Sequence, residues 1–254
     1  MSKIILTIIR AVINRFGINI VRYQKTNYPT DLNGTNLEIC KAVEPYTMTS
    51  PERINALVDA VNYVVTNKID GAMVECGVWK GGSTMAIAIA LKLSSDENRD
   101  LYLYDTFAGM SAPSDADISI DGDKAQAEFD KTKISQDSST WCLSNLDEVK
   151  QNVSGTGYRQ DKIHFIEGKV EDTIPANMPE KIALLRLDTD WYESTKHELT
   201  HLFPLLQPKA VLIIDDYGYW EGAKKAVDEY IAEKNICILL NRIDNTGRIA
   251  IVTA

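Results

Sequence analysis

Along the chain, short runs of apolar residues alternate with stretches in which apolar positions recur every three or four residues. Seven runs read as strands: 72–76, 101–105, 163–166, 182–187, 210–214, 236–240 and 248–252. Most are continuously apolar, as in AMVEC and IALLRL, which is the pattern of strands covered on both faces. Residues 51–67, 82–93 and 221–233 carry helical spacing, and Ser50-Pro51-Glu52 is a good helix start. The last two runs are joined by NRIDNTG, which has turn residues and no room for a helix, so they should pair as an antiparallel hairpin. Strand–helix alternation closed by a hairpin predicts an α/β fold, a doubly wound, mostly parallel sheet of seven strands.

Two segments stand apart from this rhythm. Residues 106–141 are polar and turn-rich, and longer than a usual connection. At that end of a sheet such an insertion reads as a substrate lid, with surface decoration as the alternative. Near the start, Ile4, Ile5, Ile8, Ile9, Val12, Ile13 and Phe16 fall on one helical face. The reading is a helix docked on the domain or on a second subunit, as in a homodimer; a basic amphipathic helix touching a membrane surface is the alternative. Arg10 interrupts the apolar stretch too early for stable membrane insertion. The expected organisation is an N-terminal helical extension over 1–50 and one catalytic domain over 51–254.

Composition narrows the partners. The 254 residues carry 36 acidic against 27 basic side chains, a formal charge of −9, and a nucleic-acid partner is not expected without a basic face. Cys40, Cys76, Cys142 and Cys237 form no C-x-x-C pair and read as reduced thiols in a cytoplasmic protein, with Cys76 and Cys237 as packing residues.

Candidate chemistry gathers where the strands end, the edge at which doubly wound sheets bind ligands. Glu75, Asp105, Glu171, Asp188, and the pair Asp215-Asp216 follow or close five successive strands. The first loop, ECGVWKGGS, discriminates between cofactors. A dinucleotide turn needs a small second glycine, and Trp79 occupies that position. A phosphate-gripping loop needs a lysine where Ser83 stands. What remains is a turn, opened by Glu75 and Gly77, that passes close to a small cationic ligand; S-adenosylmethionine fits. Glu75 would pair with its ammonium, and Ser83 with the following helix N-terminus would take its carboxylate. Asp105 would accept the ribose hydroxyls, and Val170 and Glu171 would meet the adenine; a turn or cap role is the alternative for each acid.

Asp188, Asp215 and Asp216 are three hard oxygen donors from adjacent strand ends, suited to Mg2+ or Ca2+. A cation would explain how Asp215 and Asp216 stay charged side by side. Helix capping, or pairing with basic residues such as Lys224, is the alternative. The histidines form no metal pattern, and no G-x-S-x-G elbow appears.

Together MVECGVWKGGS, LYDTFAGM, GKVEDTIP, LLRLDTDWYEST and LIIDDYGYWEGAKKAVDEY resemble the macrocin O-methyltransferase family, from about residue 40 to the C-terminus. That resemblance implies a Rossmann-like class I methyltransferase, dependent on S-adenosylmethionine and Mg2+, acting on a sugar hydroxyl of a glycan or glycosylated natural product. Carried over, it puts metal ligands at Asp188, Asp215 and Asp216. It puts cofactor contacts at Glu75, Gly77, Trp79, Ser83, Asp105, Thr106, Val170 and Glu171. The loop after Asp105 departs from the family in length and composition. The expected reaction is methyl transfer from sulfur to a sugar oxygen, with Asp188 as proton acceptor. A catechol-type diol acceptor, a metal-dependent hydrolase on the same aspartates and a non-catalytic subunit are the rival readings.

Overall fold

The structure, a computed structural model, describes Arg15, residues 28–32 and residues 34–253. The apolar face expected from Ile4 to Phe16 lies outside the described residues. From Leu32 onward the chain forms one compact unit, so residues 34–50, read as part of an N-terminal extension, belong to the same body as the rest.

Among the described residues nine strands follow in chain order: β1 (Ala72–Cys76), β2 (Leu101–Asp105), β3 (Lys133–Ser135), β4 (Ser138–Ser139), β5 (Ile163–Glu167), β6 (Ile182–Leu187), β7 (Leu206–Ile214), β8 (Asn241–Arg242) and β9 (Arg248–Ile251). Seven make the main sheet in the order β5-β2-β1-β6-β7-β9-β8, and β3 and β4 pair separately. The four pairings from β5 to β7 are parallel, and the last two are antiparallel. This is the expected Rossmann-like, doubly wound sheet. Every residue of β1 and β6 is buried, as their unbroken apolar runs require.

One expected strand is corrected. Residues 236–240 are not a strand; the hairpin arm is the two-residue β8 just beyond them. Ile236, Ile238 and Leu240 do turn toward the core, while Cys237 and Leu239 are exposed. Alternation therefore reflects packing at the sheet margin, and the β-ladder only starts at Asn241. Cys237 is accordingly not a packing residue.

The helices are α1 (Gly34–Val43), α2 (Pro51–Thr66), α3 (Gly82–Leu93), α4 (Ala125–Thr132), α5 (Leu146–Ser154), α6 (Val170–Thr173), α7 (Tyr192–Leu202) and α8 (Glu221–Glu233). α2 starts as its sequence predicts: Pro51 opens it and Ser50 Oγ accepts from Arg53 N at 3.2 Å. Leu199 and Leu202 of α7 and Val227 and Tyr230 of α8 close one core with Val74, Leu185 and Leu212. α1, α2 and α3 pack on one another, and α2 reaches β6 and β7. Among the described residues no helix is long and apolar enough to cross a membrane.

The chain runs outward from β1 to β2 and β5, then returns to the other side of β1 for β6 and β7. The direction of winding reverses between β1 and β6, and the crevice beyond their carboxyl ends is where such sheets bind ligands. Gly77 and Asp188 are the first residues past these two strands. Gly77 has φ +85°, and a Cβ there would stand 2.0 Å from the Asp188 carbonyl oxygen, so only glycine lets the two strand ends converge.

The insertion over 106–141 carries α4 and the β3–β4 ladder. It is tied to the rim of the crevice. Asp117, 1% exposed, accepts from Ser114 N at 2.7 Å and from Tyr192 N at 2.8 Å, and Trp191 Nε1 donates to Ser111 O at 3.1 Å. Trp141, Trp191 and Trp220 interlock edge to face, with centroids 5.1 to 6.2 Å apart.

Candidate active site

The crevice holds two adjoining cavities that share Met48, Trp79, Asp188 and Asp190. The first extends over β2 and β5 and is lined by Gly77, Asp105, Thr106, Val170 and Glu171 among others. The second lies under the segment Tyr46–Thr49 and is lined by Ser83, Asp215 and Asp216. Of the sequence-predicted residues, all but Glu75 therefore come together on one continuous surface.

Asp105 organises the first cavity. Its Oδ2 accepts from Val78 N at 2.7 Å and Trp79 N at 3.0 Å, and its Oδ1 from Phe107 N at 2.8 Å. The carboxylate thus fixes the glycine turn. Trp79 sits in the left-handed region at φ +48°, with Lys80 Nζ 5.0 Å from its ring centre, and spans both cavities. The Thr106 hydroxyl donates to Gly109 O at 2.7 Å and so belongs to the turn. Glu171 Oε1 accepts from Ser194 Oγ at 2.9 Å. In the second cavity Ser83 stands at the N-terminus of α3, whose cap Gly81 offers no side chain, leaving first-turn N–H groups for an anion.

Glu75 is placed elsewhere, and its expected ammonium contact gives way to a structural role. It is 1% exposed, and its carboxylate accepts from Arg186 Nη1 at 2.7 Å and from Thr84 Oγ1. The reason is register: Glu75 of β1 is paired with Arg186 of β6, so their side chains share a face.

Arg186 is the residue that inspection of the strand ends missed. It is buried within IALLRL and meets three carboxylates: Glu75, Asp188 Oδ2 at 2.8 Å and Asp215 Oδ1 at 2.7 Å. Its Nη2 also donates to Thr49 Oγ1 at 2.9 Å. A lone arginine inside an apolar strand was the available signal, because a buried guanidinium requires anionic partners. Arg53, from the first turn of α2, pairs with the other oxygen of Asp215.

Asp188, Asp215 and Asp216 each present an oxygen within 4.8 Å of the other two. Asp190, φ +68°, adds a fourth acid hydrogen-bonded to Asp216. Burial pushes Asp190 up to about 7, and burial together with the neighbouring acids pushes Asp188 and Asp216 well above the usual carboxylate range. Counting Glu75 and Asp190, five carboxylates gather around two guanidiniums here among the described residues. The local charge deficit and the all-oxygen donor set fit a hard divalent cation.

His197 and Cys76 lie outside the cavities. His197 Nε2 faces Ile174 O at 3.1 Å, and Cys76 is fully buried, its thiol pushed up by burial.

The profile of the family Macrocin-O-methyltransferase (TylF) matches residues 12–250. The Streptomyces olivaceus 8-demethyl-8-(2,3-dimethoxy-alpha-L-rhamnosyl)-tetracenomycin-C 4'-O-methyltransferase is 30% identical over 202 residues, 80% of this chain and 74% of that protein. The Micromonospora griseorubida mycinamicin III 3''-O-methyltransferase is 31% identical over 202 residues, 80% and 76% of the two chains. The solved structure of the O-methyltransferase NovP superposes with a TM-score of 0.73 at 29% identity, covering 82% of this chain and 83% of its own.

Proposed function

Because the chain belongs to the macrocin O-methyltransferase family, we propose that it methylates a sugar hydroxyl of a glycan or glycosylated natural product, using S-adenosylmethionine and Mg2+. The observation that carries this reading is the Asp188–Asp215–Asp216 cluster at the point where the sheet reverses its winding, opening directly into the cavity floored by Asp105.

When bound, the sulfonium supplies an electrophilic methyl group and the divalent ion lowers the pKa of an acceptor hydroxyl. The chain supplies position and proton management. Asp105, Trp79, Val170 and Glu171 hold the nucleoside end, and Ser83 with the α3 N-terminus holds the carboxylate end. Asp188, Asp215 and Asp216 would hold the cation. Asp188 lines both cavities, and its carboxylate would take the proton of the acceptor hydroxyl. The Trp cluster and the insertion wall the cleft against water.

The test is methyl transfer to a panel of glycosides, with a catechol included, in Mg2+ and in excess chelator. Turnover of a glycoside that chelator abolishes and Mg2+ restores is expected. Full turnover in chelator would remove the metal arm, and preference for the catechol would replace the sugar acceptor.

A further inference from the structure

The Asp215 carboxylate is gripped from both sides. Arg186 takes Oδ1 from within the sheet, and Arg53 takes Oδ2 from α2. Arg186 is immobilised by burial. Arg53 is immobilised by something remote. Its Nε lies 3.0 Å from Asp244 Oδ2, and Ser50 Oγ donates to that same oxygen at 2.7 Å. Asp244 Oδ1 accepts from Thr246 N at 2.9 Å and Gly247 N at 2.7 Å, so the acid is set by the turn of the C-terminal hairpin. The turn also touches the arginine stem: a Cβ on Gly247 would stand 2.8 Å from Arg53 Cδ.

This arrangement exceeds what charge balance requires. A single lysine would neutralise Asp215 equally well. A guanidinium held at Nε and bonding through Nη1 instead fixes where the carboxylate oxygen points. Outer partners of metal ligands work in this way, orienting the donor before the ion arrives. We propose that Arg53 is a positioning residue for the cation site, and that the β8–β9 turn acts on Asp215 through it, from Asp244 to Arg53 to the ligand oxygen. The inference rests on the reading of Asp188, Asp215 and Asp216 as cation ligands. It gives the hairpin a role in the reaction besides closing the sheet.

Calorimetric titration of the full chain with MgCl2 tests it, comparing wild type, Arg53→Lys, Asp244→Asn and the double variant, with a thermal melt of each in chelator. Arg53→Lys keeps the charge and removes the fork; Asp244→Asn keeps an acceptor for the turn amides and removes the anchor. Each single variant is expected to weaken Mg2+ binding by about tenfold or more, as for other outer partners of metal ligands. The double variant should be little weaker than the worse single one, because both act along one chain of contacts. A purely structural role would lower the melting temperature and leave the dissociation constant unchanged, and that result overturns the proposal. Wild type that binds no Mg2+ overturns the cation-site reading and the proposal with it. Should Arg53→Lys not fold, Asp244→Asn, which lies outside the cavities, decides alone: unchanged affinity there overturns the proposal.

Discussion

Asp105 makes three backbone hydrogen bonds that shape the turn around Gly77, so its part in cofactor binding is double. Asp105→Asn keeps the size and loses the charge that both the turn amides and a ribose diol would use. It should weaken S-adenosylmethionine binding by about 1–3 kcal/mol, measured by calorimetry; an unchanged constant in the folded variant would remove Asp105 from the site. Asp190 makes a prediction about pH. Its carboxyl is raised to about 7, mainly by burial, so in metal-free protein it contributes stability that is complete in acid and lost as pH climbs toward 7. Asp190→Asn should flatten the fall in stability between pH 4.5 and 7.5 by up to about 1.4 kcal/mol per pH unit. Melts of both proteins in chelator check this, and parallel slopes would place the raised proton elsewhere. At this scale the acids that end strands are legible because each is the first polar group after an apolar run. Asp190 hides in the same motif, DTDW, where a second acid looks like turn chemistry. Arg53 hides because an arginine in a first helical turn looks like surface, and its partners Asp215 and Asp244, both far along the chain, make it internal.

Among the elements, the insertion over 106–141, read as a lid or as surface decoration, carries the contacts that bear most on its role. Its middle is tied to the domain through Asp117, which links Ser114 to the first amide of α7, and its end through Trp141, which packs with Trp191 and Trp220. Those bonds argue for a fixed wall over 111–125. Its amides should exchange slowly with or without cofactor. Asp117→Ala strands two half-buried N–H groups that bond to a carboxylate and should cost about 1–3 kcal/mol of stability while making that stretch exchange fast. Hydrogen exchange settles the matter: fast exchange in wild type that slows only on ligand binding would restore the lid. The wall was not legible because its bonds join residues far apart in sequence, such as Ser111 with Trp191. The strand misread at 236–240 has the opposite origin. Its apolar run is real and its burial alternates, but a ladder also needs a neighbouring strand in register, and hydrophobicity is silent about neighbours.

At the scale of the whole molecule the fold was legible because its alternation of buried runs and helical stretches admits few topologies. The place where winding reverses follows from strand order, and strand order brings Gly77, Asp188 and Asp215 together from β1, β6 and β7. That convergence also loads carboxylates onto one crevice of a chain whose charge is already −9, which opposes folding unless protons or a cation offset it. Protons and cation then compete. At pH 5 the Asp190 carboxyl, raised to about 7, holds its proton, burial pushes Asp188 and Asp216 in the same direction, and a divalent ion must compete with protons for the site. By pH 8 that competition has weakened. Mg2+ at about a hundred times its dissociation constant stabilises the folded state by about 2.7 kcal/mol. In a chain of this size that raises the melting temperature by roughly 5–10 °C. The rise should be large at pH 8 and small at pH 5 for the same total Mg2+. Asp215→Asn should shrink it at both pH values, since the site loses a hard anionic donor while the fold keeps its shape. A shift equal at pH 5 and pH 8 would mean that the ion stabilises the protein from some other surface, and that the crevice meets its charge deficit with protons alone.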